Sequence, residues 1–192
     1  MVLSDKDIKE YIKAGKIKIS PKPNFGVQLG PCSLDLHLGN TFKIFKPSRY
    51  PYIDIKREIN LEEIMEFMEI KDGNPFVLQP GDFVLAVTKE KIALSPEIMG
   101  RLDGRSSLGR LGVVVHSTAA RFDPGFSGQA VMELGNLGIM PVILYAGTTR
   151  ICSLTFETLS TPADIPYFKK KQHKYADQKG VTASKINNDF KK

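Results

Sequence analysis

The sequence predicts a mainly β domain, built as a sandwich or barrel, with a short helix at its N-terminus. Three observations carry this reading. Apolar and polar residues alternate in many short runs, SLDLHLG (33–39) and TFKIF (41–45) among them. Turn-forming residues punctuate those runs, with 16 Gly and 12 Pro in 192 residues. Helical periodicity is confined to two short stretches.

Ser4-Asp5-Lys6-Asp7 has the form of a capping box, and Ile8, Tyr11 and Ile12 fall on one helical face. A helix is therefore predicted from Asp5 to Ala14. The alternating runs at 33–45 follow as strands. NLEEIMEFMEI (60–70) fits a second short helix, and Asp72-Gly73-Asn74-Pro75 a turn. FVLQPGDFVLAVT (76–88) and VILYAGTTRICSLTF (142–156) look alike. Each has an apolar strand, a turn at Pro80-Gly81 or Ala146-Gly147, and a second apolar strand, and each reads as a hairpin. The likeness is too slight to establish a repeat. Between them lie IMGRLDG (98–104), VVVHSTA (113–119) and QAVMEL (129–134), where Val113 to Val115 and the alternation around Met132 predict strands. No linker precedes the C-terminal stretch, so residues 1–192 are expected to form one domain, with 168–192 as a basic terminal segment.

Hydrophobic residues make up 42% and charged residues 25% of the chain, the balance of a soluble globular protein. No apolar run reaches the roughly 18 residues of a membrane span, and the N-terminal MVLSDKDIKEYIKAGKIKI is too charged for a signal peptide. Cys32 and Cys152 supply neither a disulfide framework nor a zinc spacing, so a cytoplasmic protein with free thiols is expected. The net charge of +6 is unevenly placed: residues 168–192 hold eight Lys and two Asp, while the first 167 residues are balanced. Such a tail can bind nucleic acid, cover a polyanionic small ligand, or stay solvated. Tyr175, Val181 and Ile186 interrupt it, so it is not a pure charge run.

GRSSLGRLG (104–112) has the glycine spacing of a phosphate loop, yet Arg110 and Leu111 stand where Lys and Ser or Thr belong. A phosphate loop also leads into a long helix, whereas LGVVV returns to strand within two residues. The segment instead offers the hydroxyls of Ser106 and Ser107 between the guanidiniums of Arg105 and Arg110, groups suited to phosphate or carboxylate oxygens. A short helical turn here would add outward backbone N–H groups.

The longer run RLDGRSSLGRLGVVVHSTAARFDPGFSGQAVMELGN (101–136) closely resembles dCTP deaminases of the dUTPase superfamily. PCSLDLHLGNTF (31–42), VLQPGDFVLAVT (77–88) and PYFKKKQHKYADQKGVTASKI (166–186) extend the resemblance through most of the chain. It implies a dUTPase-like distorted jelly-roll or β-clip barrel, a homotrimer with active sites between subunits, and hydrolysis of dCTP to dUTP and ammonia. That chemistry needs a nucleophilic water at C4, a proton for N3 and a proton for the departing ammonia, and one carboxyl can shuttle all of them. Zinc deaminases carry H-x-E and P-C-x-x-C; this chain has neither, with only His37, His116 and His173 available. The resemblance implies catalysis without zinc, and Mg²⁺ only as the companion of the triphosphate.

Residue by residue, the resemblance makes Glu133 the general acid and base and Arg110 its hydrogen-bond partner. Ser106 and the carbonyl of Ala119 would hold the attacking water. Arg105, Ser107 and the flanking Leu108 and Gly109 would face the nucleotide, as would Tyr167, Lys174 and Gln178 of the tail, chiefly at the triphosphate. Arg121 would support phosphate binding, and Asp123 would accept the sugar 3′-hydroxyl. Val131, Met132 and Glu133 would read the cytosine edge, partly through backbone groups. The tail would close as a lid carrying Lys174, with Lys169 to Lys171 a solvated run. Feedback inhibition by dTTP is implied through the stretch around His116. Bland alternatives stand beside these roles: a solvent-facing strand carboxylate for Glu133, a surface ion pair for Arg110, a helix N-cap for Ser106, a turn residue for Asp123.

Three rival functions remain open. A dUTPase without deaminase activity is one, although Glu133 with Arg110 would then lack a purpose. Bifunctional relatives also hydrolyse dUTP to dUMP and pyrophosphate; they tend to have Gly and an apolar residue where this chain has Ala120-Arg121, which favours deamination only. A non-catalytic β module could instead bind nucleic acid through the basic tail. The reading adopted is the deaminase, with neither nucleic acid nor membrane as partner.

Overall fold

A computed structural model of the chain describes residues 1–47, 50–56, 61–169, 174, 175 and 177–190. The elements in chain order are α1 (Asp5–Lys13), β1 (Ile17–Ser20), α2 (Phe25–Gln28), β2 (Ser33–Phe45), α3 (Leu61–Ile64), β3 (Met65–Glu69), β4 (Pro75–Leu78) and β5 (Phe83–Leu94). They continue with β6 (Ile98–Gly104), α4 (Ser106–Gly109), β7 (Val113–Val114), β8 (Arg121–Phe122), β9 (Ser127–Asn136), β10 (Val142–Tyr145) and β11 (Arg150–Thr158). Two 3₁₀ turns, Tyr167–Lys169 and Ile186–Asp189, mark the tail.

Local signals hold where local chemistry decides. The capping box closes as predicted: Ser4 Oγ accepts from Asp7 N at 3.3 Å, and Asp7 Oδ2 accepts from Ser4 N at 3.1 Å. The hydrogen bond from Ser4 holds the Asp7 carboxyl below its usual range. Ala14 is the C-cap, so the helix stops one residue earlier than expected. Ile8 is fully buried, with Tyr11 and Ile12 packed beside it. The two alternating runs of 33–45 join into the single strand β2.

The stretch 60–70 departs from its helical pattern. Only one turn, α3, is helical; Met65–Glu69 instead pairs antiparallel with β2, from Thr41↔Glu69 to Phe45↔Met65. Cross-strand hydrogen bonds available on β2 outweigh the modest helix propensity of Met and Glu. Asn60 lies outside the described residues.

The two expected hairpins also resolve differently. The turns sit where predicted, with Gly81 and Gly147 at φ of +81° and +72°. Yet β4 does not pair with β5, nor β10 with β11. The two short strands pair with each other, Val142↔Leu78 through Tyr145↔Pro75, as a separate two-stranded sheet. Each turn carries the chain from that ribbon into the large sheet. Asn136 ties the first crossing: its Nδ2 donates to the carbonyls of Leu78 and Met140 at 3.0 and 2.8 Å, and its own carbonyl accepts from Gly81 N at 2.9 Å. The expected strand at Val113 to Val115 stops one residue earlier, at Val114, and 115–119 forms a loop.

The large sheet has nine strands and curls into a half-barrel, in the order β7-β9-β5-β2-β11-β6-β8, with β1 on β5 and β3 on β2. This is the mainly β, dUTPase-like fold expected. The long β2 and β5 change partners along their length, with register shifts between Leu38 and Phe42 and between Val87 and Lys91, and these shifts bend the sheet around the core. Phe42 stacks on Phe76 with ring centroids 4.3 Å apart, at the centre of that core. Among the described residues no helix is long and apolar enough to cross a membrane.

Two outcomes test this packing. Phe42→Ala removes a fully buried ring and is expected to lower stability by about 3–5 kcal/mol, read by urea denaturation. Cys152 is completely buried and burial pushes its thiol pKa up, whereas Cys32 is exposed. A thiol reagent near neutral pH should therefore label native protein at Cys32 only, and both positions after unfolding.

Candidate functional site

Strand β9 sets the site. Its side chains alternate, with Gly128, Ala130, Met132 and Leu134 buried and Gln129, Val131 and Glu133 on the opposite face. That outer face forms the floor of a cavity of about 670 Å³, walled by the loop between β7 and β8 and by the tail. Ser117, Ala119, Arg121, Asp123, Val131 and Glu133 line it, joined by Tyr167 and Gln178 from the tail.

The Glu133 carboxylate is anchored by the loop. Its Oε2 accepts from Ser117 N at 2.8 Å, while Glu133 N donates to Val115 O at 3.1 Å. Oε1 has no protein partner among the described residues. Arg121 Nε pairs with Asp123 Oδ1 at 2.9 Å, a largely exposed contact worth about 0–1 kcal/mol. His116, just before Ser117, is half-buried, and its Nδ1 is buried with no hydrogen-bond partner among the described residues.

The tail lies against β9. Gln178 O accepts from Gln129 N at 3.1 Å, Gln178 Nε2 donates to Gln129 O at 3.3 Å, and Gly180 N donates to Gln129 Oε1 at 2.9 Å. Tyr167 N donates to Pro124 O at 2.8 Å, and Tyr167 is close to Phe126, with ring centroids 5.9 Å apart. Partial burial raises the phenol pKa of Tyr167. Gly128 permits this approach: at φ +149°, a Cβ there would lie 3.0 Å from both N and O of Gln178. Lys174 does not line the cavity; its Nζ contacts Asp189 Oδ2 at 2.5 Å, and Lys185 Nζ donates to Lys174 O at 2.6 Å.

The residues of GRSSLGR form a second group, outside the cavity. A short helical turn does form here, α4, with Ser106, Ser107, Gly109 and Arg110 exposed and Leu108 packed against the core. Arg105, not Ser106, occupies the N-cap position, and no side chain caps the turn, because Ser106 already lies inside its first turn. Arg105 Nε contacts Asp35 Oδ2 at 3.1 Å, and its Nη1 donates to Arg150 O at 3.1 Å.

Seven of the expected residues are thus brought together: Ala119, Arg121, Asp123, Val131, Glu133, Tyr167 and Gln178. Arg105 to Arg110 are not. Within one chain no hydrogen bond or ion pair joins Arg110 to Glu133 among the described residues; the backbone of Ser117 holds that carboxylate instead. Met132 is fully buried, so only its backbone can face a ligand. Sequence reasoning passed over Ser117, Gln129, Asp35 and Arg150. Ser117 lay inside the HSTA run, and its contribution is a backbone N–H that no side-chain pattern reveals. Among the described residues no group of three or more His, Cys, Asp and Glu side chains could hold a metal ion.

The fold and this cavity meet a known family at this point. The family model for dCTP deaminase-like proteins matches residues 2–159, and the chain belongs to that family. A dCTP deaminase of Thermomicrobium roseum is 53% identical over 186 residues, covering 97% of this chain and 94% of its own. A dUMP-forming dCTP deaminase of Dictyoglomus thermophilum is 50% identical over 190 residues, covering 99% of this chain and 97% of its own. Among solved structures, a 2′-deoxycytidine 5′-triphosphate deaminase of Agrobacterium tumefaciens matches with a TM-score of 0.63 at 19% identity, over 82% of this chain and 48% of that one. That last likeness bears on the fold.

Gly128→Ala is expected to push the tail off β9 while leaving the core intact. Trypsin cleavage after Lys179 should then accelerate severalfold, with little change in the melting temperature; unchanged cleavage would mean that the contact at Gln178 does not hold the tail.

Proposed function

We propose that this protein hydrolyses dCTP at C4 of the cytosine, releasing ammonia. The observation that carries the reading is Glu133: a carboxylate on the cavity floor, fixed through one oxygen by Ser117 N, with the other oxygen left to act on a substrate water. Glu133 takes a proton from that water as its oxygen attacks C4, and passes the proton to N3 of the resulting tetrahedral adduct. The second proton of the same water then goes by way of Glu133 to the 4-amino group. Ammonia leaves, the C4–O bond becomes a carbonyl, and dCTP plus water has become dUTP plus ammonia. The Ala119 carbonyl and the Ser106 hydroxyl orient the water. The backbone of Val131 and Met132 reads the base edge, and Asp123 accepts the 3′-hydroxyl, exchanging its exposed contact with Arg121 for the sugar.

In this reading the site is completed between copies of a homotrimer. Among the described residues no guanidinium forms a hydrogen bond or ion pair with the Glu133 carboxylate, and Ser106, Ser107 and Arg110 at the α4 turn are exposed. Arg110 of a second copy supplies the partner of Glu133, and Arg105 and Ser107 meet the triphosphate. Tyr167 and Gln178 approach from the tail, and residues 168–192 serve as the lid. Lys174 exchanges the Asp189 carboxylate for phosphate oxygens on closure. Mg²⁺ enters as part of the substrate, held by phosphate oxygens and water.

We take dUTP as the product, on Ala120-Arg121. A second reading, further hydrolysis to dUMP and pyrophosphate, is favoured by the name of the Dictyoglomus relative.

Incubation of pure protein with dCTP, followed by ³¹P NMR, separates the two. Accumulating dUTP is expected, at a rate unaffected by a zinc chelator; dUMP and pyrophosphate would establish the second reading. Glu133→Gln should lower ammonia release by about 10²–10⁴-fold with dCTP binding largely retained. Full activity in that variant would remove Glu133 from the chemistry.

A further inference from the structure

Strand β11 lies between β2 and β6, and this order brings three charged residues together from distant parts of the chain. Ser153 is opposite Asp35 on one side of β11, and Cys152 is opposite Gly104 on the other, one residue before Arg105. Asp35 Oδ2 contacts Arg105 Nε at 3.1 Å and Arg150 Nη1 at 3.2 Å. Two guanidiniums thus share one carboxylate oxygen. Arg150 is fixed in turn by donating from Nη1 to Val27 O at 2.7 Å, and its own carbonyl accepts from Arg105 Nη1 at 3.1 Å. Asp35 is the least exposed of the three, its side chain 17% accessible against 26% for Arg105 and 36% for Arg150.

Sharing matters because of charge. A lone Asp35–Arg105 pair would be neutral, and a guanidinium tends to turn both faces of its fork onto a single carboxylate. With Arg150 drawing on the same oxygen, the trio keeps a net positive charge. Arg105 is then oriented through Nε and Nη1, while its Nη2 donors stay available for an anion.

We propose that Arg150 is a positioning residue for triphosphate binding: by competing for Asp35 it keeps the trio net positive and Arg105 oriented and free to grip phosphate. The inference rests on the reading above, in which Arg105 meets the triphosphate. It goes beyond that reading in assigning a role to Arg150 and Asp35, which have no part in the deamination chemistry.

The test is steady-state kinetics with dCTP on the full-length protein. Arg150→Gln gives Asp35 wholly to Arg105; KM should rise about tenfold with kcat changed less than about twofold, because only uniform binding is lost. Arg150→Lys keeps the charge and should recover most of the affinity. The decisive variant is Arg150→Gln combined with Asp35→Asn. Removing the carboxylate restores the positive charge, so the double variant should have a lower KM than Arg150→Gln alone. Two merely structural lesions would add, and a KM at or above that of Arg150→Gln would overturn the proposal. Should Arg150→Gln fold poorly by melting temperature, Arg150→Ala is compared with Arg150→Ala combined with Asp35→Asn; the double variant should again have the lower KM, and a KM at or above that of Arg150→Ala would overturn the proposal. If Arg105→Ala leaves KM unchanged, the phosphate role of Arg105 falls and this inference with it. If Arg105→Ala raises KM while Arg150→Gln does not, only this inference falls.

Discussion

The register between β5 and β9 is the constraint on which the site depends. Leu85 lies opposite Glu133 and Ala86 opposite Met132, so that Met132 and Leu134 enter the core and Glu133 faces outward. A slip of one residue would exchange the faces, forcing a carboxylate into an apolar interior and leaving Met132 in water. The core therefore enforces the direction of the functional side chain. The loop from Val115 to Ser117 then needs only two backbone hydrogen bonds to β9 to fix where that carboxylate sits.

The same sheet fixes the GRSSLGR turn, the other half of the proposed site, at a distance. The run GRSSLGR begins where β6 ends, and β6 is held by β11, which in turn pairs with β2. Arg105 is thereby tied to Asp35 and Arg150, while Ser106, Ser107 and Arg110 are exposed and do not line the chain's own cavity. A helix of four residues has little stability of its own, so its placement comes from the strands on either side. The split between a cavity holding the carboxylate and a turn holding the arginines gives physical content to a shared site. In the function proposed above, a second copy supplies what each half lacks.

Features governed by near neighbours were legible in the sequence. The Ser4–Asp7 box, the alternation of β2 and β9 and the glycine turns at 81 and 147 all act within a few residues, and all stand where expected. Strand partners were not legible, because pairing is decided by segments far apart in the chain. This is why the two look-alike segments separate into β4 with β10 and their longer second strands, and why Met65–Glu69 is a strand. The site divides the same way. The outward face of Glu133 follows from period two, whereas its role came from resemblance. Nothing in the sequence joined Asp35 to Arg150, 115 residues away. Nor could side-chain patterns show that Ser117 binds through its backbone, or that Lys174 rests on Asp189.

The central claim is that one site is built from the cavity of one copy and the α4 turn of another. Subunit mixing tests it most directly. Glu133→Gln and Arg110→Ala proteins, each inactive by itself, are unfolded together, refolded and assayed for ammonia release from dCTP. Random assortment into mixed trimers gives about one site in four with both halves intact, so about a quarter of the wild-type rate should return. Mixed trimers that remain inactive would contradict the account, because Glu133 and Arg110 would then have to come from the same chain.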